Sequence, residues 1–184
     1  VWRYAGPTLY LDASCLTYGF DGRPLAVIDY TETVSVSGVV ASGAGNTDAH
    51  GLVAVRHSGD LMRSERNEGR HTIDVELHAL SDQVESLYLT FSGWTTPLTH
   101  IRRPEIQCFD PEDRSGEPLA RYELDGKPTG DNTAVIMARV WRVRPGARWH
   151  VQAIGELGMG RAGSYEPIHE VIGLLRQQSA FRRE

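Results

Sequence analysis

TAVIMARVWRV, residues 133–143, is an apolar run with only two charged positions. In an extended strand, successive side chains point to opposite faces of the sheet. The run then divides into two sets, one for each face: Ala134, Ile136, Ala138, Val140 and Arg142, and Val135, Met137, Arg139, Trp141 and Val143. Because both sets are largely apolar, the run predicts a central strand that is covered on both faces.

Shorter runs with the same two-residue period recur along the chain, separated by clusters of Gly, Pro, Asn and Asp. This pattern is typical of an all-β protein. It predicts strands over residues 8–14, 25–30, 52–57, 72–77, 86–92, 105–110, 119–124, 133–143 and 149–154. The dipeptide at Asp21 and Gly22 predicts a hairpin, and RPGAR at 144–148 predicts a turn between the last two long strands.

The C-terminal part changes to a helical period. Ile168, Val171, Ile172 and Leu175 are spaced at i, i+3, i+4 and i+7 after Ser164, which predicts an amphipathic helix. We expect this helix to close the edge or an open end of a β-sandwich. The predicted fold is therefore an all-β, two-sheet antiparallel β-sandwich with a C-terminal amphipathic helix.

Composition limits the classes of function. The chain has 184 residues, a net charge of −5 and a pI near 5.8, which disfavours nucleic acid as a partner because phosphate backbones select for a positive field. No apolar run approaches the length that spans a bilayer, and residues 1–15 lack the pattern of a secretory signal, so we expect a cytoplasmic protein. Cys15 and Cys108 are too few and too isolated for a disulfide scaffold or a zinc site.

Several ordered motifs resemble the tellurium-resistance domain family of the TerD type. They are LYLDASC at 9–15, HSGD at 57–60, GEPLARYEL at 116–124, TAVIMARVWR at 133–142 and RWHVQAIG at 148–155. The resemblance covers roughly residues 8–175, so we expect one TerD-like domain over 1–184 with its core there. It implies a β-sandwich stress-response domain with no known catalytic activity, whose better-studied members bind calcium in acidic loops.

The calcium motifs implied by the resemblance have diverged in this chain. Tyr10 and Leu61 replace an Asp and an Asn of the family pattern, and Arg70 and His71 stand at the end of its acidic triplet. The carboxylates that remain as candidate metal ligands are Asp12, Asp60, Glu65 and Glu68.

Calcium usually needs about six to eight oxygen ligands, and a permanent positive charge such as that of Arg70 repels it. We therefore expect a degraded site, in which Arg66 or Arg70 pairs with the remaining carboxylates. The alternative is a weak calcium site formed by those carboxylates and backbone carbonyls. The TGDNTAV segment, 129–135, adds Asp131 and Asn132 as candidate oxygen ligands, although a polar turn also explains them.

The Trp and Arg residues of 138–151 suggest a second kind of site. Single-stranded nucleic acids bind surfaces of this composition, but cross-strand packing explains the same residues and the net charge opposes nucleic acid. Trp and Arg also dominate protein-binding hot spots. We therefore select Trp141, Arg142 and Trp149 as candidate partner-binding residues.

An enzyme is not expected. His57, Ser58 and Asp60 are close in sequence, but His57 and Ser58 point to opposite sides of a strand and cannot easily act as base and nucleophile. The sequence therefore predicts a non-enzymatic binding or assembly module with protein partners or a larger complex and no required cofactor. A calcium-binding stress protein is the alternative, and a hydrolytic enzyme is the third reading.

Overall fold

The computed structural model describes residues 1–4, 10–31, 53–59, 61–94, 96–124 and 130–181. The strands are β1 (Trp2–Tyr4), β2 (Leu11–Gly19), β3 (Pro24–Ile28), β4 (Val55–His57), β5 (Leu61–Arg63), β6 (Glu68–Arg70), β7 (Ile73–Val75), β8 (Val84–Gly93), β9 (Ile101–Arg102), β10 (Glu105–Cys108), β11 (Ala120–Glu123), β12 (Ala134–Trp141) and β13 (His150–Gly158). The helix α1 spans Glu166–Phe181, and three single 3-10 turns span Ser64–Arg66, Leu77–Ala79 and Leu98–His100. Every predicted strand overlaps an observed one, whereas β1, β5, β6 and β9 were not predicted.

A five-stranded antiparallel sheet, in the order β13-β12-β8-β2-β3, is the largest in the described part of the chain. The predicted hairpin at Asp21 and Gly22 is confirmed, since it joins β2 to β3 and Gly22 has a φ of 85°. The RPGAR turn joins β12 to β13, with Gly146 at a φ of 70°. Such backbone angles favour glycine because it lacks a Cβ.

The predicted division of β12 into two faces holds only for its first half. A bulge lies between Ile136 and Ala138, where the register with both neighbouring strands shifts. An extra residue reverses the alternation beyond it. Arg139 therefore joins Ile136 on the face towards α1, while Val140 joins Met137 on the other face.

Two hydrophobic clusters fill the face of the large sheet that points away from α1. The strands β2, β8 and β12 supply much of both clusters, and Trp2, Val55 and Ile101 come from the small sheets that cover them. Among the described strands, those small sheets are β5-β6-β1-β9, β10-β11 and β4-β7. This layering is consistent with the predicted β-sandwich, with several short sheets in place of one continuous second sheet.

The helix α1 covers the other face of the large sheet. Ile168 and Ile172 are fully buried and pack against Leu16, Tyr88 and Ile136. The predicted helix is thus confirmed, but its predicted position at an edge or open end was wrong, because these contacts lie in the middle of the sheet. In the described part of the chain, no helix is long and apolar enough to cross a membrane.

Candidate functional site

The outer face of the β5-β6-β1-β9 sheet carries a row of charged side chains. Arg63, Glu68, Arg3 and Arg102 lie directly opposite one another on the four adjacent strands. Directly opposed residues of antiparallel strands share a face of the sheet. Arg70 lies two residues beyond Glu68 on β6 and therefore on the same face. We call Arg3, Arg63, Arg70 and Arg102 the arginine face; all four are exposed.

The inner side of this small sheet fixes the position of the arginine face. Met62, Gly69 and Trp2 form the opposed row that points into the protein, and Trp2 is fully buried. A Cβ on Gly69 would lie 2.0 Å from a ring atom of Trp2, so the close packing requires glycine there. The arginines point outward because the residues that alternate with them along the same strands point inward and anchor the small sheet to the core.

The electrostatic balance of this surface is positive. Glu68 is its single carboxylate, and the Glu68 Oε2 atom lies 3.8 Å from the Nε atom of Arg3. With four arginines the local net charge is +3, in a chain whose total is −5. An open depression of about 520 Å³ beside it is lined by Met62, Arg63, Glu65 and Arg66. The surface therefore favours an anionic group.

The candidate metal ligands occupy different environments. Asp12 is 4% exposed at the beginning of β2, Glu65 is exposed in the 3-10 turn after β5, and Glu68 lies on β6 in its pair with Arg3. Asp60 lies outside the described residues. Within the part of the chain that the structure describes, no three His, Cys, Asp or Glu side chains form a group able to hold a metal ion.

A hydrogen bond between the buried Asp29 and the half-buried Tyr165, near the start of α1, was missed from the sequence. The hydroxyl of Tyr165 donates to the Oδ2 atom of Asp29 at 2.5 Å and lies 2.8 Å from the Oγ atom of Ser14. Burial, the bond to Asp29 and the charges of Asp29 and Asp12 raise the pKa of Tyr165 well above its usual range. Asp29 is 4% exposed and also accepts from Thr31. The only local signal was an acid at the end of the apolar run LAVI.

The predicted partner-binding residues do not share one surface. Arg142 is 4% exposed, and its guanidinium donates to the carbonyl oxygens of Val84 at 2.9 Å and Ser81 at 2.6 Å. The guanidinium also lies 4.6 Å from the centre of the Trp149 ring, which is partly buried and packs against the core between the large and small sheets. Trp141 instead lies on the α1 side of the sheet.

Trp141 stacks on His150 with the ring centres 4.9 Å apart. The guanidinium of Arg139 lies 5.0 Å from the Trp141 ring on the same side. Residues 141 and 149 thus point to opposite faces of the large sheet. Trp141 packs on His150 of the neighbouring strand and on Arg139 of its own strand. Trp149 packs on Arg142 across the turn, and Arg142 contributes to the interior of the protein.

The His57 and Ser58 pair makes contacts that differ from those of a base and its nucleophile. The backbone N–H of Gly59 donates to the Nδ1 atom of His57 at 2.9 Å, and the His57 ring lies 5.0 Å from that of His71. The Oγ atom of Ser58 donates to the Gly59 carbonyl at 2.8 Å and accepts from the N–H of Thr72 at 2.9 Å. His57 is buried and Ser58 is exposed, as the strand alternation predicts.

The remaining candidates are the TGDNTAV turn and the two cysteines. Asp131 is exposed in the turn before β12, and the backbone carbonyl of Asn132 accepts from the N–H of Leu98 at 2.8 Å. Cys15 and Cys108 are both free thiols. Burial raises the pKa of Cys15 to about 12, so this thiol stays protonated at neutral pH.

The fold and this charged surface define a mainly antiparallel β-protein with a single described helix packed on its large sheet. A family model of the TerD domain matches residues 4–163, and the chain therefore belongs to the TerD domain family. No curated protein matches the sequence significantly.

Two solved structures share the fold. The crystal structure of SAV2460, a protein of unknown function, has 14% identity and a TM-score of 0.64, covering 94% of this chain and 92% of that one. SCO6318 from Streptomyces coelicolor A3(2), a homologue of the telluride resistance protein TerD, has 12% identity and a TM-score of 0.61, covering 90% of each chain. At such identities the likeness shows the fold alone.

Proposed function

We propose that this chain is a non-enzymatic, cytoplasmic stress-response module of the TerD family, which binds protein partners or assembles into a larger complex without calcium. Its family, the tellurium-resistance type of stress protein, supports the stress-response class. The proposal of an enzyme has less support, because His57 and Ser58 each bond to neighbouring backbone groups.

The observation that carries calcium independence is the set of arginines around Glu68. Arg3 and Arg63 lie directly opposite Glu68 on the two neighbouring strands, and Arg70 lies two residues away on the same strand face. A divalent cation at Glu68 would stand within a few ångströms of several permanent positive charges, which raise the free energy of the bound ion. The same charges already neutralise the carboxylate that a calcium ion would use.

A calcium-binding stress protein remains the second candidate because of Asp12 and Asp29. Both carboxylates are 4% exposed, and both act on the hydroxyl of Tyr165. Carboxylate oxygens are ligands that calcium prefers, and a bound cation offsets the cost of burying their charge. This candidate would place calcium at the end of the large sheet instead of on the arginine face.

Thermal unfolding in millimolar calcium chloride and in excess chelator separates the two candidates. A ligand that binds only the folded state at about 100 times its Kd stabilises it by roughly 2.7 kcal/mol, or a Tm rise of about 5–10 °C for a chain of this size. We expect a Tm difference below about 1 °C. Magnesium chloride at the same concentration controls for ionic strength.

A rise of several degrees with calcium alone would reject calcium independence. Asp12→Asn, Asp29→Asn and Asp60→Asn would then show which acid binds the ion. The Tm with and without calcium is compared within each variant, so a loss of basal stability does not affect the comparison. Asp21→Asn is the matched control, since Asp21 is exposed in the β2–β3 hairpin.

A further inference from the structure

The arginine face keeps like charges next to one another at the surface. Arg3 and Arg102 lie directly opposite on β1 and β9, and both are exposed. Like charges that are directly opposed on a sheet destabilise it. Glu68 offsets part of this repulsion through Arg3, but one carboxylate cannot balance four guanidinium groups. An external group with several negative charges would complete the balance.

The same chain presents a surface with the opposite charge. The connection between β10 and β11 carries Asp110, Glu112, Asp113 and Glu117, all exposed, together with Arg114. We call these residues the acidic turn. Its net charge is −3, which equals in magnitude the +3 of the arginine face.

Local hydrogen bonds hold the acidic turn in shape. The Oδ1 atom of Asp110 accepts from the N–H of Glu112 at 2.9 Å, and the carboxylate of Asp113 accepts from both the N–H and the hydroxyl of Ser115 at 2.9 Å. The backbone bond from Ser115, followed by its side-chain bond, lowers the pKa of Asp113. Such Asx and Ser bonds order a turn. The Glu112 and Glu117 side chains take no part in them.

We propose that the arginine face of one copy of this chain binds the acidic turn of a second copy. The guanidinium fork matches a carboxylate in a two-bond geometry, so several Arg–Glu and Arg–Asp pairs can form together. Because the two surfaces differ, the contact is head to tail and produces a ring or an open chain of copies. This inference rests on the proposed assembly function and names its partner.

A second copy fits this surface better than nucleic acid or a membrane. The exposed neighbours of the row on β5 and β6 are Leu61 and Arg70, and they provide no aromatic ring on which a base can stack. The overall charge of −5 also repels extended polyanions. The acidic turn is short, so its negative charge lies only at the contact and does not extend over the rest of the chain's negative surface, as that of an extended polyanion would.

A charge-swap experiment tests the contact. The face-reversed variant is Arg63→Glu/Arg102→Glu, and the turn-reversed variant is Glu112→Arg/Glu117→Arg, which spares the hydrogen bonds that shape the turn. Sedimentation velocity at low salt, with chelator present, measures the average mass against concentration. For the unsubstituted chain we expect a mass that rises with concentration and falls when salt is added, because exposed charges are screened.

We expect each variant alone to lose association and a mixture of the two variants to recover it. Each variant alone should remain monomeric, since both of its surfaces then carry the same sign. An equimolar mixture should associate again, because the intact acidic turn of one variant meets the intact arginine face of the other. The control Arg144→Glu/Arg148→Glu changes the total charge by the same amount as the face-reversed variant, but on the exposed β12–β13 turn, and should leave association unchanged.

Three results would overturn the proposal: a chain that stays monomeric at low salt, a mixture that does not associate, or an equal loss in the control. A monomeric chain that binds oligothymidine or phosphatidylserine vesicles through Arg63 and Arg102 would reassign the face to that partner. If the chain is monomeric and calcium does not shift its Tm, only the proposal of self-assembly is rejected, and calcium independence is retained. Association that requires calcium instead removes the calcium independence proposed above.

Discussion

Glu85 pairs with two arginines beneath α1, in a charge cluster with little exposure to water. Its side chain accepts from the Nη2 atom of Arg139 at 3.2 Å, from Arg176 of the helix, and from the hydroxyl of Ser86 at 3.0 Å. Glu85 is 8% and Arg139 3% exposed, so water solvates neither group well. The guanidinium of Arg139 also lies 5.5 Å from the Tyr88 ring.

Removing this carboxylate should strongly destabilise the fold. Glu85→Ala removes the carboxylate that pairs with the buried Arg139, and breaking a buried ion pair by removing one partner costs about 3–5 kcal/mol. Urea unfolding followed by circular dichroism measures the loss in unfolding free energy. Glu170→Ala, at an exposed position of α1, should change it by less than about 0.5 kcal/mol. Equal effects of the two substitutions would show that Glu85 is not the anchor of this cluster.

The helix α1 has one face buried against the large sheet and one face exposed to solvent. Ile172 is 0% exposed against the large sheet, whereas Leu174 is 58% exposed two residues later. We expect Ile172→Ala to cost about 2–5 kcal/mol through lost burial and a residual cavity, and Leu174→Ala less than about 0.5 kcal/mol. Urea unfolding of both variants measures the difference. Similar losses would contradict the observed packing of the helix.

The long elements could be predicted from sequence because the periodicity of their apolar residues is visible within each segment. The apolar alternation found β8 and β12, and the 3.6-residue period found α1. The strands β1, β5, β6 and β9 have only two or three residues and show no period of their own, whereas the equally short β4 and β7 lie within longer alternating runs, LVAVRH and TIDVEL. The bulge in β12 depends on its register with β8 and β13, and the position of α1 depends on contacts across the chain.

The candidate site was also only partly predictable from the sequence. Arginine in place of acids was visible along residues 63–70, but the opposition of Arg3, Glu68 and Arg102 required the pairing of strands far apart in sequence. The contact between Asp29 and Tyr165 joins residues 136 positions apart, and no local pattern indicates it. Which charges meet on this surface is therefore a property of the tertiary fold.

On the scale of the whole molecule, the large sheet connects both halves of the hydrophobic core. The strands β2, β8 and β12 send Leu11, Phe91 and Met137 to one face, and Leu16 and Ile136 to the other. A strand cannot lose its order on one face and keep it on the other, because the same backbone positions both sets of side chains. The two layers should therefore unfold together.

This coupling predicts a single unfolding transition. Trp2 is buried on the side of the small sheets, so its fluorescence reports on the layer opposite α1, while far-ultraviolet circular dichroism reports on the whole backbone. In a variant with Trp2 as the single tryptophan, we expect both signals to share one urea midpoint, which Ile172→Ala lowers equally for both. If Ile172→Ala shifts only part of the dichroism and leaves the Trp2 midpoint unchanged, α1 and its side of the sheet unfold independently, and the large sheet does not transmit stability between the layers.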